Sequence, residues 1–233
     1  MKKLIFTLFL QLLVLMGSAQ KTKTYQLYSP DKKNKITVVA GSMVTWSVQH
    51  GSVTVLAPST LAIEQSGWAI VAGASPVIRA RQQLINDTFQ AIAYKKDKVV
   101  NHGNELILDC KGDYSIVFRA YNDGVAYRFV TRFPDETIVA REEAVFKFSG
   151  DPLIHIPFTS DLRQQERYSC SFEEFYTSAK LSVLPADSLA YLPLMVSVDD
   201  TLKAVLLEAD VQQYPAMFVQ KNGKSPNSLN AVH

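Results

Sequence analysis

Carboxylates set among aromatic rings are the residues of this sequence best suited to chemistry. Glu166-Arg167-Tyr168 is followed closely by Phe172-Glu173-Glu174-Phe175-Tyr176. Hard oxygen donors beside flat rings suit a cation such as Ca²⁺, or the hydroxyls of a sugar. A solvated acidic face has the same composition and is the default reading of the residues alone. The other prominent stretch is Arg119-Ala120-Tyr121-Asn122-Asp123-Gly124-Val125-Ala126-Tyr127-Arg128-Phe129. Strand alternation there requires Arg119 and Arg128 to find polar partners or solvent.

The remaining chemistry is sparse. His50, His102, His155 and His233 show no HxH, HxxxH or HExxH grouping, so zinc is not expected. His155, inside Leu153-Ile154-His155-Ile156, reads as a partnered or edge histidine. There is no GxSxG elbow and no glycine-rich phosphate loop. Trp46 and Trp68 would serve as sugar platforms or, more simply, as packing residues. Cys110 and Cys170 stand as a disulfide or as two small buried hydrophobes, and spacing does not choose between them.

The elements that must position these groups follow from composition and pattern. At 233 residues, 47% hydrophobic and 20% charged, the chain can bury a substantial core and is not disordered. Two cysteines cannot staple a chain of this length. Residues 1–19 read as a cleavable signal peptide: Lys2 and Lys3, an apolar run over 4–16, then small residues at Gly17-Ser18-Ala19. That run spans about 20 Å as a helix, too short for a bilayer core. The predicted location is therefore periplasmic or secreted, with no membrane anchor. Without Lys2 and Lys3 the chain carries 22 basic and 22 acidic residues, which gives no footprint for nucleic acid.

From 20 to 233 the pattern is one of strands. Residues 36–39, 44–48 and 53–56 form a meander broken at Gly41-Ser42 and His50-Gly51-Ser52. Residues 114–133 read as a hairpin around Asn122-Asp123-Gly124, whose residues tolerate positive φ. Further candidates are 105–109, 144–148, 153–158, 192–198, 203–207 and 217–220. Only 173–181 suggests a short helical turn. Many antiparallel strands with few short helices predict an all-β fold, a large two-sheet sandwich in one domain.

Four segments together carry a family resemblance. The stretch from Arg119 to Phe129, with Phe118 before it, resembles the RAYNDGVAYRF signature of glycoside hydrolase family 97. Tyr28-Ser29-Pro30-Asp31 is similar to the family's early SPDG segment, with Lys32 in place of glycine. Phe172-Glu173-Glu174-Phe175-Tyr176 is similar to its YExxY segment. Leu207-Glu208-Ala209-Asp210-Val211 followed by Tyr214-Pro215-Ala216-Met217-Phe218 is similar to EADL…YPGMY, with Ala216 in place of glycine. Order and spacing agree over essentially the whole of 20–233.

The resemblance implies an N-terminal β-supersandwich, related to galactose mutarotase-like sheets, from an exo-acting α-glucosidase or α-galactosidase. It implies an α-linked oligosaccharide as substrate and Ca²⁺ near the sugar pocket, with Glu173 as a ligand, or Glu174 if the alignment slips by one. The family's catalytic carboxylates belong to a (β/α)8 barrel, which is absent from this sequence, so no catalytic residue is nominated. Hydrolysis needs two carboxyls flanking one bond, and the chain alone is not expected to hydrolyse glycosides. The alternatives are a stand-alone carbohydrate-binding module and, by fold analogy only, a mutarotase-like epimerase.

Overall fold

The structure, a computed structural model, describes residues 22–66, 71–72, 76–92, 95–136, 138–159, 168, 172–186, 188–212 and 214–233. The signal peptide, Trp68, the Glu166-Arg167 pair and the partnering of Cys170 with Cys110 lie outside the described residues. The first strands are β1 (Lys23–Tyr28), β2 (Asn34–Ala40), β3 (Val44–His50), β4 (Val53–Gln65) and β5 (Val71–Ala72). Next come β6 (Val77–Gln90), β7 (Lys98–Cys110), β8 (Tyr114–Ala120), β9 (Val125–Thr131) and β10 (Val139–Lys147). The last are β11 (Leu153–Ile156), β12 (Thr177–Lys180), β13 (Leu189–Ala190), β14 (Leu194–Ser197), β15 (Lys203–Leu206), β16 (Phe218–Lys221) and β17 (Ser228–Val232). The one described helical element is a 3-10 turn at Leu181–Val183.

These strands make three antiparallel sheets. The large one runs β1-β2-β3-β4-β10-β17-β16-β13, with β5 attached to β4. The other two are four-stranded: β6-β7-β8-β9 and β12-β11-β14-β15. In the large sheet alternate residues of β2, and of β3 up to Val48, are buried, so these strands present one apolar face, while β13, β16 and β17 bury residues on both faces. β11 and β14 alternate in the same way. A single buried cluster draws Ile36, Trp46 and Phe146 from the large sheet, Leu108 and Phe118 from one small sheet, and Ile154 and Val196 from the other. Sheets whose buried side chains share one cluster pack against it together. The two small sheets therefore pack against the large one, and the sandwich expected from the sequence is its outcome.

Several strands are longer than their apolar pattern suggests. β4 continues to Gln65 through Pro58, which sits at a bulge where Trp46 pairs with Ser59 but Val48 pairs with Leu56. A bulge is where a strand can hold a residue without an N–H. The segment 105–109 is the inner part of the 13-residue β7. Residues 173–181, expected to hold a helical turn, instead lead into β12, and the 3-10 turn follows it.

The hairpin at Asn122-Asp123-Gly124 forms where predicted but not with positive φ. None of the three adopts the left-handed region; the turn closes through the Tyr121 N–H to the Gly124 carbonyl at 2.8 Å. It is held from outside. Asn34 Nδ2 donates to the carbonyls of Tyr121 and Asn122 at 2.8 and 3.2 Å, and Asn122 Oδ1 accepts the Asp31 N–H at 3.1 Å. Asn34 Oδ1 meets His50 Nδ1 at 2.7 Å. Tertiary bonds to neighbouring loops thus replace the local φ preference.

Candidate functional site

The two segments richest in aromatic and acidic residues meet in space. Phe172 packs edge-on against Tyr176, with ring centroids 5.5 Å apart, and against Tyr191 at 5.9 Å. Tyr191 continues to Phe218 at 5.1 Å, and Phe218 to Tyr168 at 5.4 Å. Tyr176 donates its hydroxyl to the Pro193 carbonyl at 2.9 Å, beside the cis Leu192-Pro193 peptide. Beside these rings lies a half-open cleft of about 460 Å³, lined by Tyr168, Tyr191, Pro193, Leu207, Met217 and Phe218, with Glu208 at its wall. This volume lies within the range of small-ligand sites, and ring-lined walls suit the apolar faces of a sugar.

The wall from Leu207 to Phe218 is a loop closed by its own polar groups. Both carboxylate oxygens of Glu208 accept the Met217 N–H, at 2.9 and 3.0 Å. Asp210 takes the left-handed conformation at φ 58°, and its Oδ1 accepts from Gln212 at 2.6 Å. Ala216, at a position where the resembling segment has glycine, is not left-handed, so a methyl group costs no backbone strain there.

The loop is anchored by a half-buried group that the sequence did not reveal. Tyr214 donates to Glu142 Oε2 at 2.7 Å, and His233 Nε2 approaches the same oxygen at 3.2 Å. The rings of Tyr214 and His233 meet edge-on at 5.5 Å. Burial alone would raise the Glu142 carboxyl, but the bonds from His233 and Tyr214 outweigh it and hold it below its ordinary value. Glu142 in turn raises the His233 imidazole. Burial and the same carboxylate raise the Tyr214 hydroxyl. Glu142, in the run Arg141-Glu142-Glu143, gives no periodic or spacing signal toward Tyr214 or His233, so only the fold could bring these three groups together.

Glu173 and Glu174 are both exposed, immediately after Phe172. No other described side chain engages either carboxylate, and the described residues contain no group of three His, Cys, Asp or Glu able to hold a metal. Calcium takes six to eight oxygens. The donor type at Glu173 fits a hard cation, while the described donors are too few to close its shell.

The other residues singled out in the sequence have structural surroundings. Trp46 is buried against Tyr127 and Phe118, at 5.2 and 6.1 Å, as a packing residue. Arg119 Nε donates to the buried Glu105 at 2.6 Å, while Arg128 faces solvent. His155 bonds Ser178 Oγ at 2.7 Å across the β11–β12 pair. Cys110 is buried on the core face of β7, and burial pushes its thiol up.

Comparison with known proteins decides what this arrangement belongs to. The model of the glycosyl-hydrolase 97 N-terminal family matches residues 27–233. The chain belongs to that family. This family 97 domain is 30% identical to a retaining alpha-galactosidase of Bacteroides thetaiotaomicron, over all of this chain and 35% of that protein. It also shares its fold with a family 97 enzyme from Pseudoalteromonas sp. strain K8 solved in complex with acarbose. That match has a TM-score of 0.72 at 22% identity and covers 89% of this chain and 31% of the other. A beta-arabinopyranosidase superposes with TM-score 0.76 at 19% identity, over 89% of this chain and 35% of its own. The chain thus spans about one third of the length of these relatives.

Proposed function

We propose that this family 97 domain is the N-terminal accessory part of a secreted, calcium-dependent, exo-acting α-glycosidase, an α-glucosidase or α-galactosidase. The observation that carries this reading is the family match over residues 27–233 in relatives about three times as long. The cavity between Tyr191, Met217 and Phe218 supports a part in shaping a sugar pocket for an α-linked oligosaccharide. Glu173 supplies one oxygen donor to a Ca²⁺ whose remaining ligands come from elsewhere, with Glu174 as its substitute. The bound ion would add a fixed positive charge for carboxylate and hydroxyl oxygens to gather round. Export follows from the Lys2-Lys3 start and the apolar run behind it.

Catalytic carboxylates belong to the catalytic barrel, the other partner in this reading. Reading the source DNA past codon 233 tests it. An open frame running on through alternating strands and helices supports an accessory domain. A stop at that point overturns it and leaves a stand-alone carbohydrate-binding module, the reading that the ring-lined cavity independently favours. In that event, calorimetric titration with α-linked disaccharides, with and without calcium, decides whether the cavity binds sugar. In either case, turnover of nitrophenyl α-glucosides or α-galactosides by the 233-residue chain alone would contradict the accessory role.

A further inference from the structure

β6 is the outer strand of its four-stranded sheet, and among the described residues no strand pairs with its free edge. It runs 14 residues without a proline, glycine or lysine. Its one irregularity is a register shift at the start, between Val77 and Arg79. Native edge strands are usually kept short, bulged, charged or covered, because an open row of N–H and C=O groups recruits another strand. The neighbouring edge of β1 is partly covered: Gln82 Nε2 and Asn104 Nδ2 donate to the carbonyls of Gln26 and Tyr28 at 2.9 and 2.7 Å. Among the described residues β6 has no comparable cover.

The same strand also outruns its sheet. β7 pairs with β8 only from Asn104 onward, so the stretch from Ile85 opposite Gly103 to Gln90 opposite Lys98 is a two-stranded ribbon. A two-stranded ribbon is marginal in water, and three or more strands are needed for a stable one. The ribbon carries exposed apolar side chains, with Phe89 53% and Val100 67% exposed, and Leu84 at its base is 60% exposed.

We infer that β6 is a dimer edge, pairing antiparallel with β6 of a second copy about a two-fold axis at Leu84. The sequence is self-complementary in that register. Leu84 opposes Leu84 of the other copy, Gln82 opposes Asn86, and Arg79 opposes Phe89. Arg81 opposes Asp87 on both sides of the axis, and no like charges meet, which is what an isologous interface requires. Arg81 already holds Asp109 at 3.0 Å, but a guanidinium has five donors and keeps some for a second carboxylate. Asp87 is engaged only weakly, by Asn101 at 3.4 Å. Pairing sets the ribbon of each copy, residues 85–90, against residues 78–83 of the other copy's four-stranded sheet, so each ribbon gains a third strand and both open edges are covered.

Sedimentation of the full chain, combined with cysteine cross-linking, tests this. The expected result is a dimer in which Leu84→Cys forms an intermolecular disulfide on mild oxidation, beyond that of the unaltered chain. Opposed residues in an antiparallel pair lie about 4.5–5.5 Å apart at Cα, within disulfide reach. Gln82→Cys, opposite Asn86, gives no such bond. Asp87→Arg places two arginines opposite each other on both sides of the axis and raises the dissociation constant about tenfold or more. A monomer at the highest attainable concentration overturns the inference. So does a dimer that Leu84→Cys fails to link, or one indifferent to Asp87→Arg. Leu84 and Asp87 are exposed, and thermal melts of the variants confirm that folding is intact.

Discussion

At the scale of single residues, partly or fully buried polar side chains hold the fold. Asn34 is buried and spends both amide hydrogens on the carbonyls of Tyr121 and Asn122. Removing it leaves those carbonyls without a donor, so Asn34→Ala should cost about 1–3 kcal/mol. Asn34→Asp should cost more at neutral pH, because it sets a carboxylate oxygen against the same two carbonyls. Denaturant melts of the two variants check the order. The Glu142–His233 pair predicts a pH profile. His233 is raised by Glu142, so its stabilisation is full below the ordinary imidazole value of 6.5 and is lost as pH rises through its higher folded value. Glu142 is lowered, so its share is present above the ordinary 4.5 and is lost as pH falls through its depressed folded value. The midpoint of thermal unfolding should therefore carry a maximum between those two ordinary values, and His233→Gln should remove the contribution that fades on the alkaline side. Neither group could be paired from the sequence, since Glu142 and His233 are brought together by β10 lying beside β17.

Among the elements, legibility followed burial. Strands with one buried face announce themselves: Val44, Trp46 and Val48 alternate with polar residues, Ile36 and Val38 flank Thr37, and β2 and β3 lie where that pattern places them. β6 was invisible because most of its residues are exposed on both faces, so Arg79-Ala80-Arg81-Gln82-Gln83 has no alternation to read. β1 and β12 were hidden for the same reason, with few buried side chains. The cavity was half legible. Its aromatic segments stood out, Phe218 among them, but their meeting depends also on Tyr191, which belongs to no visible motif. The join between the ribbon and its sheet offers a test. A Cβ at Gly103 would lie 2.6 Å from the Tyr121 ring, which is held in place by its hydroxyl bond to Asn101 at 2.9 Å. Gly103→Ala should therefore destabilise by about 1–3 kcal/mol through overpacking. In a Tyr121→Ala background the same change should cost less, leaving only the 3.1 Å approach of the new Cβ to the Ala120 carbonyl. An additive double variant, measured by the same melts, would show that the ring is not the obstacle.

Across the whole molecule, three sheets with one core raise the question of whether they fold as one unit. The large sheet shares one buried cluster with both small sheets, and most buried residues of the small sheets belong to that cluster. β14 offers Leu194 and Val196 to that cluster, and β7 offers Leu106 and Leu108. A sheet that buries one face only against a common partner cannot keep that face dry after the partner unfolds. The expected behaviour is one cooperative transition, with secondary-structure loss by circular dichroism coinciding with tryptophan fluorescence change. Leu194→Ala and Leu108→Ala lie in different small sheets, and both side chains are at most 1% exposed. Each should lower the stability of that same transition by about 2–5 kcal/mol. Two separated transitions, with Leu194→Ala moving one and Leu108→Ala the other, would mean that the small sheets are independent units. The single buried cluster would then be two adjoining cores, and the 233 residues could not act as one rigid accessory body.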